Sequence, residues 1–349
     1  MANITDVAKK AGVSISTVSH VINGTKYVGE ELTQRVNRAI AELGYQANEM
    51  AASMKRRTTN NIGVILPNIG MVFFPDVLKG IEAAAKEHGY KLFYFSTDYD
   101  FEKEKEYLHL LKSSWVDGII LDSCCPREEL EGYRESLVAN APGRRVPVVS
   151  LEAPFAPEGL GVITFDEVKL TREAMAYLLE QGHRKIRLLL GPAHIPMYAN
   201  NIQGCRQALQ AWGLELWQGD ILSGDYFAES GYRAVKGALE AGEEFTAILA
   251  ANDQMAIGAM KAIKEAGKSI PEDIAVIGAD GIYVTTLIEP SLTTVELPRY
   301  EMGYRAGKLL AEMIQEPKAS GQYIQLEGRL VIRRSTDPEA KENWELTGW

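Results

Sequence analysis

The 349 residues carry 37 Lys+Arg against 47 Asp+Glu, a formal charge of −10, and 46% of them are hydrophobic. That length exceeds one comfortable core, so two or three globular domains are expected, and no apolar run is long enough to span a bilayer. Three cysteines (Cys124, Cys125, Cys205) give neither a disulfide framework nor metal spacing. Residues 1–6 lack the basic and apolar blocks of a signal peptide, so a cytoplasmic chain without metal or cofactor is expected.

The charge is unevenly spread. Residues 1–60 hold eight Lys/Arg against five Asp/Glu, leaving 29 against 42 for residues 61–349. A mildly basic head on an acidic body fits a nucleic-acid module joined to something else.

In chain order, residues 5–11 predict a small helix capped by Thr5, with Val7, Ala8 and Ala11 facing inward. Gly12-Val13 turns directly into a second helix. Its Ser14 hydroxyl can accept from a free first-turn amide, and Asn23-Gly24 tolerates the left-handed backbone that ends it. Val18, Val21 and Ile22 form its buried stripe, while Ile15, Ser16, Ser19 and His20 face outward, a composition suited to reading base edges. A third amphipathic helix spans Glu30–Leu43, with Leu32, Val36, Ala39, Ile40 and Leu43 on one face and Gly44 as its stop. Two short helices joined by a tight Gly-containing turn make a helix-turn-helix, whose second helix enters the major groove. The alternative is an ordinary three-helix bundle that binds nothing.

Residues 46–60 form the junction. Asn48 can cap a two-turn helix, with Glu49 at the positive end of its dipole, though so short a helix is marginal alone. Met54 lacks an obvious core and precedes Lys55-Arg56-Arg57, as a minor-groove wedge flanked by phosphate-binding cations would. A plain flexible linker with incidental methionines fits the residues equally.

From residue 61 apolar strands alternate with amphipathic helices, the pattern of a parallel α/β sheet. Strands are predicted at 62–66, 91–95, 118–121 and 146–151, with helices at 75–88 and 102–113. A second round has strands at 162–165, 186–190, 247–250 and 274–278, and helices at 169–181, 201–212, 230–241 and 254–266. Two similar doubly wound lobes are expected, with a ligand cleft at the carboxyl ends of the strands. No P-loop, metal-spaced His cluster or Gly-x-Ser-x-Gly elbow supports an enzyme, and His183 sits in a turn after a helix.

The segments Thr5-Asp6-Val7-Ala8, Gly12-Val13-Ser14, Thr17-Val18-Ser19-His20-Val21-Ile22-Asn23, Leu43-Gly44-Tyr45 and Asn61-Ile62-Gly63 closely resemble the LacI/GalR family of bacterial repressors. In the core, residues 252–260 (Asn252-Asp253-Gln254 onward), Gly278-Ala279-Asp280 and residues 290–295 are similar to the same family. The head is most similar to purine-binding members and the core to sugar-responsive and catabolite-control members. The resemblance implies an all-α helix-turn-helix head and an α/β core like periplasmic sugar-binding proteins. Its domains would be a head at 1–46, a hinge helix and linker at 47–60, one lobe at 61–162 plus 293–324, and another at 163–292 plus 325–349.

The implied DNA contacts are Thr5, Ser14, Ile15, Ser16, Thr17, Ser19, His20, Asn23, Tyr45, Met54 and Lys55, with Ile15, Ser16 and His20 at base-reading positions and Met54 as the wedge. Two hinge departures stand out: Ala47 replaces a usual Pro, and Ala52 a frequent Arg. The implied effector contacts are Phe73 and Phe74 at the cleft mouth, Asp280, Asn252, Tyr226, Asp166, Glu152, Met197 and Asn201. Asn201 stands where sugar-binding members carry an Arg, and Ile195 where purine-binding members carry another.

The resemblance therefore implies a homodimeric, sequence-specific regulator, a repressor, on a pseudo-palindromic operator, with a sugar or sugar derivative in the cleft. Two alternatives remain: a catabolite-control type that answers to a phosphorylated phosphocarrier protein, and a solute-binding protein without DNA function.

Overall fold

A computed structural model describes residues 2–24, 26–45, 58–113, 116–140, 144–152, 155, 158–316 and 321–341. The chain divides into two compact units, Met1–Thr59 and Asn60–Trp349. Most of the hinge, including Met54 and Lys55, lies outside the described residues, as does the side chain of Asn23.

In the first unit α1 (Ile4–Ala11), α2 (Ile15–Asn23) and α3 (Glu30–Leu43) enclose a small core of Val7, Ala8, Ala11, Val18, Val36 and Ala39. Asn3, not Thr5, caps α1: its side chain accepts from the Thr5 and Asp6 amides, and Asp6 returns the bond to the Asn3 amide. Ser14 caps α2 by accepting from the Thr17 amide at 3.1 Å. The turn between them needs Gly12, whose φ is +66°. A Cβ there would also lie 2.7 Å from Arg35 Nη2, which reaches across from α3 to donate to the Ala11 carbonyl. Leu32, placed on the buried face by periodicity, is 37% exposed instead, because it lies one turn before the stretch of α3 that meets the other helices.

The second unit holds two six-stranded sheets. The first is built from β1 (Asn61–Leu66), β2 (Lys91–Ser96), β3 (Gly118–Asp122), β4 (Val148–Leu151), β5 (Gly161–Phe165) and the late β11 (Tyr323–Leu326), in the order β11-β5-β4-β3-β1-β2. All its pairings are parallel. Both faces are covered: Ile62, Val64 and Leu66 point into one apolar cluster and Ile65 into another, with Leu108 and Leu111 of α5 (Phe101–Lys112) and Tyr133 and Leu137 of α6 (Leu130–Val138). That is why these strands read as unbroken apolar runs.

The second sheet takes β6 (Ile186–Leu190), β7 (Ile221–Ser223), β8 (Ala247–Ala250), β9 (Ala275–Asp280), β10 (Thr293–Glu296) and β12 (Arg329–Val331), in the order β12-β10-β9-β8-β6-β7. Only β12 runs antiparallel, to β10. Its helices are α7 (Glu167–Glu180), α8 (Pro196–Ala211), α9 (Ala228–Glu240) and α10 (Asp253–Glu265). The last long helix, α11 (Arg299–Gln315), returns to the first lobe and packs on α4 (Phe74–Glu87). Gly80 and Gly303 allow this approach, since a Cβ on either would collide with the other helix's backbone.

The chain thus crosses between lobes after Phe165, at Leu297-Pro298 and at Glu327-Gly328. The crossing placed at 293 falls later, because Thr293–Glu296 first pairs with β9 in the second sheet. Helix α8 begins at Pro196, five residues before the expected 201, since proline suits the first turn of a helix. Helices α6 and α11 and the three-residue edge strand β7 were not among the predicted elements.

Candidate functional site

The first unit presents one outward surface on α2. Val18 is fully buried and holds the helix to the core, while Ser14, Ile15 and Ser16 are exposed, Ile15 at 48%. Ser14 Oγ lies 2.7 Å from Ser16 Oγ and 2.8 Å from Thr17 Oγ1, so the start of α2 is a linked row of hydroxyls. Thr17, Ser19 and His20 are half-buried along the same helix; Thr5 is exposed, and Tyr45 packs against the small core just past α3. A short helix with free first-turn amides, hydroxyls and one exposed apolar side chain can meet a phosphate and base edges together.

The second unit contains an open cavity lined by residues at the carboxyl ends of both sheets. Pro67 follows β1, Tyr99 follows β2, Asp122 ends β3, Glu152 follows β4, and Glu167 begins the helix after β5. From the other lobe come Tyr226 after β7, Ala251-Asn252 after β8, Asp280 at the end of β9, and Ile195 to Met197 at the start of α8. Strand ends in open α/β sheets leave such a crevice, and here two sheets share it.

Its apolar walls are ordered. Phe73 and Phe74 meet edge to face, their centroids 5.3 Å apart, and Tyr99 stacks on Tyr226 at 5.7 Å. Tyr99 Oη donates to Met71 Sδ at 2.7 Å, whereas the buried Tyr226 hydroxyl has no hydrogen-bond partner. Asn252 Nδ2 holds the Tyr226 carbonyl at 2.9 Å while its Oδ1 caps α10 by accepting from the Met255 amide. Gln254 Oε1 accepts the Val72 amide at 2.9 Å, a direct bond between the lobes beside the cavity.

Four carboxyl groups face this space: Asp122, Glu152, Glu167 and Asp280. Burial raises each, and the charge of a neighbouring carboxylate adds to it. Asp122 is raised further by the charges of Glu104 and Glu167, and Glu152 by those of Asp122, Glu167 and Asp280. Asp280 is raised by burial and Asp253, against the opposing pull of Arg299. Burial lifts Glu167 to about 7, although Asn200 donates to it at 2.7 Å and favours the charged form. Among the described residues that line the cavity there is no Lys, Arg or His.

Seven of the nine effector positions named from the sequence line this cavity: Phe73, Phe74, Glu152, Met197, Tyr226, Asn252 and Asp280. Asp166 does not: its Oδ1 is committed to capping α7, accepting from the Lys169 amide at 2.9 Å. Asn201 does not either, because it lies on the face of α8 turned to α7, where Oδ1 accepts the Thr171 hydroxyl at 2.8 Å. It borders a separate, smaller cavity. The sequence reading missed Tyr99, Asp122 and Glu167, although Asp122 directly follows a predicted strand. Among the described residues, no group of three His, Cys, Asp or Glu could hold a metal ion, and no helix is long and apolar enough to cross a membrane.

A three-helix head with an exposed recognition helix, carried on a two-lobed α/β unit with a cleft at its strand ends, defines a class: ligand-responsive DNA-binding proteins. Residues 3–48 match the family model for bacterial regulatory proteins of the lacI family, and residues 59–334 match that for periplasmic binding proteins and the sugar-binding domain of the LacI family. The chain belongs to the LacI family. It is 33% identical over 337 residues to a ribose operon repressor of Halalkalibacterium halodurans, covering 96% of this chain and 97% of the relative. It is 32% identical over 335 residues to catabolite control protein A of Priestia megaterium, covering 95% and 98%. The lac repressor dimer bound to operator and an anti-inducer superposes with a TM-score of 0.83 at 28% identity, covering 96% of this chain and 99% of that one.

Proposed function

We propose that this chain is a homodimeric, cytoplasmic transcriptional repressor whose hold on a pseudo-palindromic operator is set by a small ring-shaped polyol in the cleft between its lobes. The observation that carries the reading is one chain with both parts: a capped recognition helix exposing Ile15 and Ser16, and an aromatic-walled cavity at the strand ends. Phe73, Phe74, Tyr99 and Tyr226 offer apolar faces to a ring, and the carboxyl groups accept from its hydroxyls. In the head, Ile15, Ser16 and His20 read base edges, and Thr5, Ser14, Thr17, Ser19, Asn23 and Tyr45 position the helix on the backbone. Met54 and Lys55 act at the centre of the site.

Two heads on one symmetric site require a two-fold dimer. Edge strand β2 leaves Phe93 exposed at 41% and Tyr94 at 36% on opposite faces of the sheet, and the face that carries Phe93 is suited to a second copy. Similarity to catabolite control protein A supports a second reading, in which a phosphorylated phosphocarrier protein is the signal. The formed cavity favours the small ligand.

Selection of bound duplexes from a random pool with the full chain tests the proposal. An inverted repeat of two half-sites is expected. Enrichment of no sequence would leave a solute-binding protein and overturn it.

A further inference from the structure

The cleft's chemistry is lopsided. Four carboxyl groups share one partly apolar cavity whose described lining holds no cation. No described side chain donates a hydrogen bond to the carboxyl groups of Asp122 or Glu152, and Arg299, the nearest guanidinium to Asp280, is committed to Asp76 at 3.0 Å and to the Asp280 backbone carbonyl. A buried acid is normally paired or neutralised, because the charged form loses its hydration without recompense.

Two further features concentrate at the same place. Tyr226 is 3% exposed and lines the cavity, yet its hydroxyl has no partner. Among the described residues, six non-glycine positions have positive φ, and four of them line this cavity: Tyr99 at +61°, Glu152 at +53°, Tyr226 at +71° and Asp280 at +106°. Backbone held in sparsely populated conformations costs free energy and persists at ligand clamps. Here it places two aromatic rings and two acids around one space.

Resting on the reading of the cleft as the effector site, we propose that the ligand carries a protonated nitrogen: an amino- or imino-substituted polyol ring. The ammonium would sit against Glu152, Asp122 and Asp280, with ring faces of Tyr99 and Tyr226 adding cation–π attraction, and the Tyr226 hydroxyl would gain a partner among the ligand's hydroxyls. An anionic ring such as a sugar phosphate would face four acids and no cation.

Isothermal titration of the full-length chain at pH 7 tests this with three probe groups. The aminated rings are D-glucosamine, D-galactosamine and 1-deoxynojirimycin; D-glucose and D-galactose are neutral parents, and their 6-phosphates are anionic. An aminated ring should bind at least about tenfold tighter than its neutral parent, and the phosphates should not bind. Glu152→Gln should cut that preference by about fivefold or more, read as the ratio of the aminated ring's affinity to its neutral parent's in the same variant. A neutral ring that binds as tightly as its amine, or any phosphate that binds more tightly, overturns the cationic ligand and leaves the polyol cleft standing. Failure of every ring of any charge to bind at millimolar concentration overturns both.

Discussion

Glu167 offers a test of the carboxyl cluster that needs no ligand. Burial raises its pKa from 4.5 to about 7. A carboxyl raised on folding contributes stability that is fully present below pH 4.5 and lost as pH rises through 7. At about 1.36 kcal/mol per unit, the folded chain gives up at most about 3 kcal/mol across that window. Glu167→Gln removes the titration yet keeps an oxygen for Asn200, whose amide donates to Glu167 at 2.7 Å. The variant and the parent should therefore melt together near pH 4.5. By pH 8 the variant should be the more stable, by up to roughly 6 °C at about 2 °C per kcal/mol for a unit of this size. Differential scanning calorimetry of the full chain at the two pH values reads this directly. A variant less stable than the parent at pH 8, or a gain of equal size at both, would refute the reasoning.

Four further substitutions probe other parts of the molecule. Lys112 is buried and its ammonium donates to the carbonyls of Ser136, Leu137 and Ala139 at 2.6 to 3.0 Å, closing the end of α6; Lys112→Met should cost about 1–3 kcal/mol in urea unfolding, and a loss below about 0.5 would remove this role. Gly12→Ala forces a side chain onto a φ of +66° and against Arg35, so operator affinity and the head's melting temperature should both fall. His20→Ala should relax base preference at one position of each half-site by about 1–3 kcal/mol, read as selected-sequence logos, whereas a uniform loss across all sequences would make His20 a backbone contact. Phe93→Asp, on the exposed edge of β2, should shift sedimentation toward monomer at micromolar concentration; an unchanged dimer would place the interface elsewhere.

Much of this was legible in the residues, for identifiable reasons. The head could be read because each boundary has its own local chemistry: Ser14 and Gly24 bracket α2, Gly12 and Gly44 stop α1 and α3, and all four act through their own backbone or nearest turn. The doubly covered sheets announce themselves as apolar runs such as residues 62–66 and 247–250. What stayed hidden depends on partners distant in sequence. Helix α11 carries Gly303 and Gly307, which weaken a helical pattern and make sense only beside α4. Strand β10 stays in the second sheet because it pairs with β9, which no local pattern reveals. In the cleft, the adjacent acids Asp166 and Glu167 look alike in sequence. Only the start of α7 assigns one to a cap and turns the other toward the cavity. Asp122 was the one missed lining residue with a usable signal, a carboxylate directly at the end of a predicted strand.

The proposed function couples occupancy of the cleft to grip on DNA in one chain. Fluorescence anisotropy of the selected operator, titrated with the full-length protein with and without saturating D-glucosamine or whichever ring binds most tightly, tests it most directly. At least about a fivefold change in operator affinity is expected, with none on a duplex whose half-sites are scrambled. Identical operator curves in the presence and absence of the bound ring would contradict it.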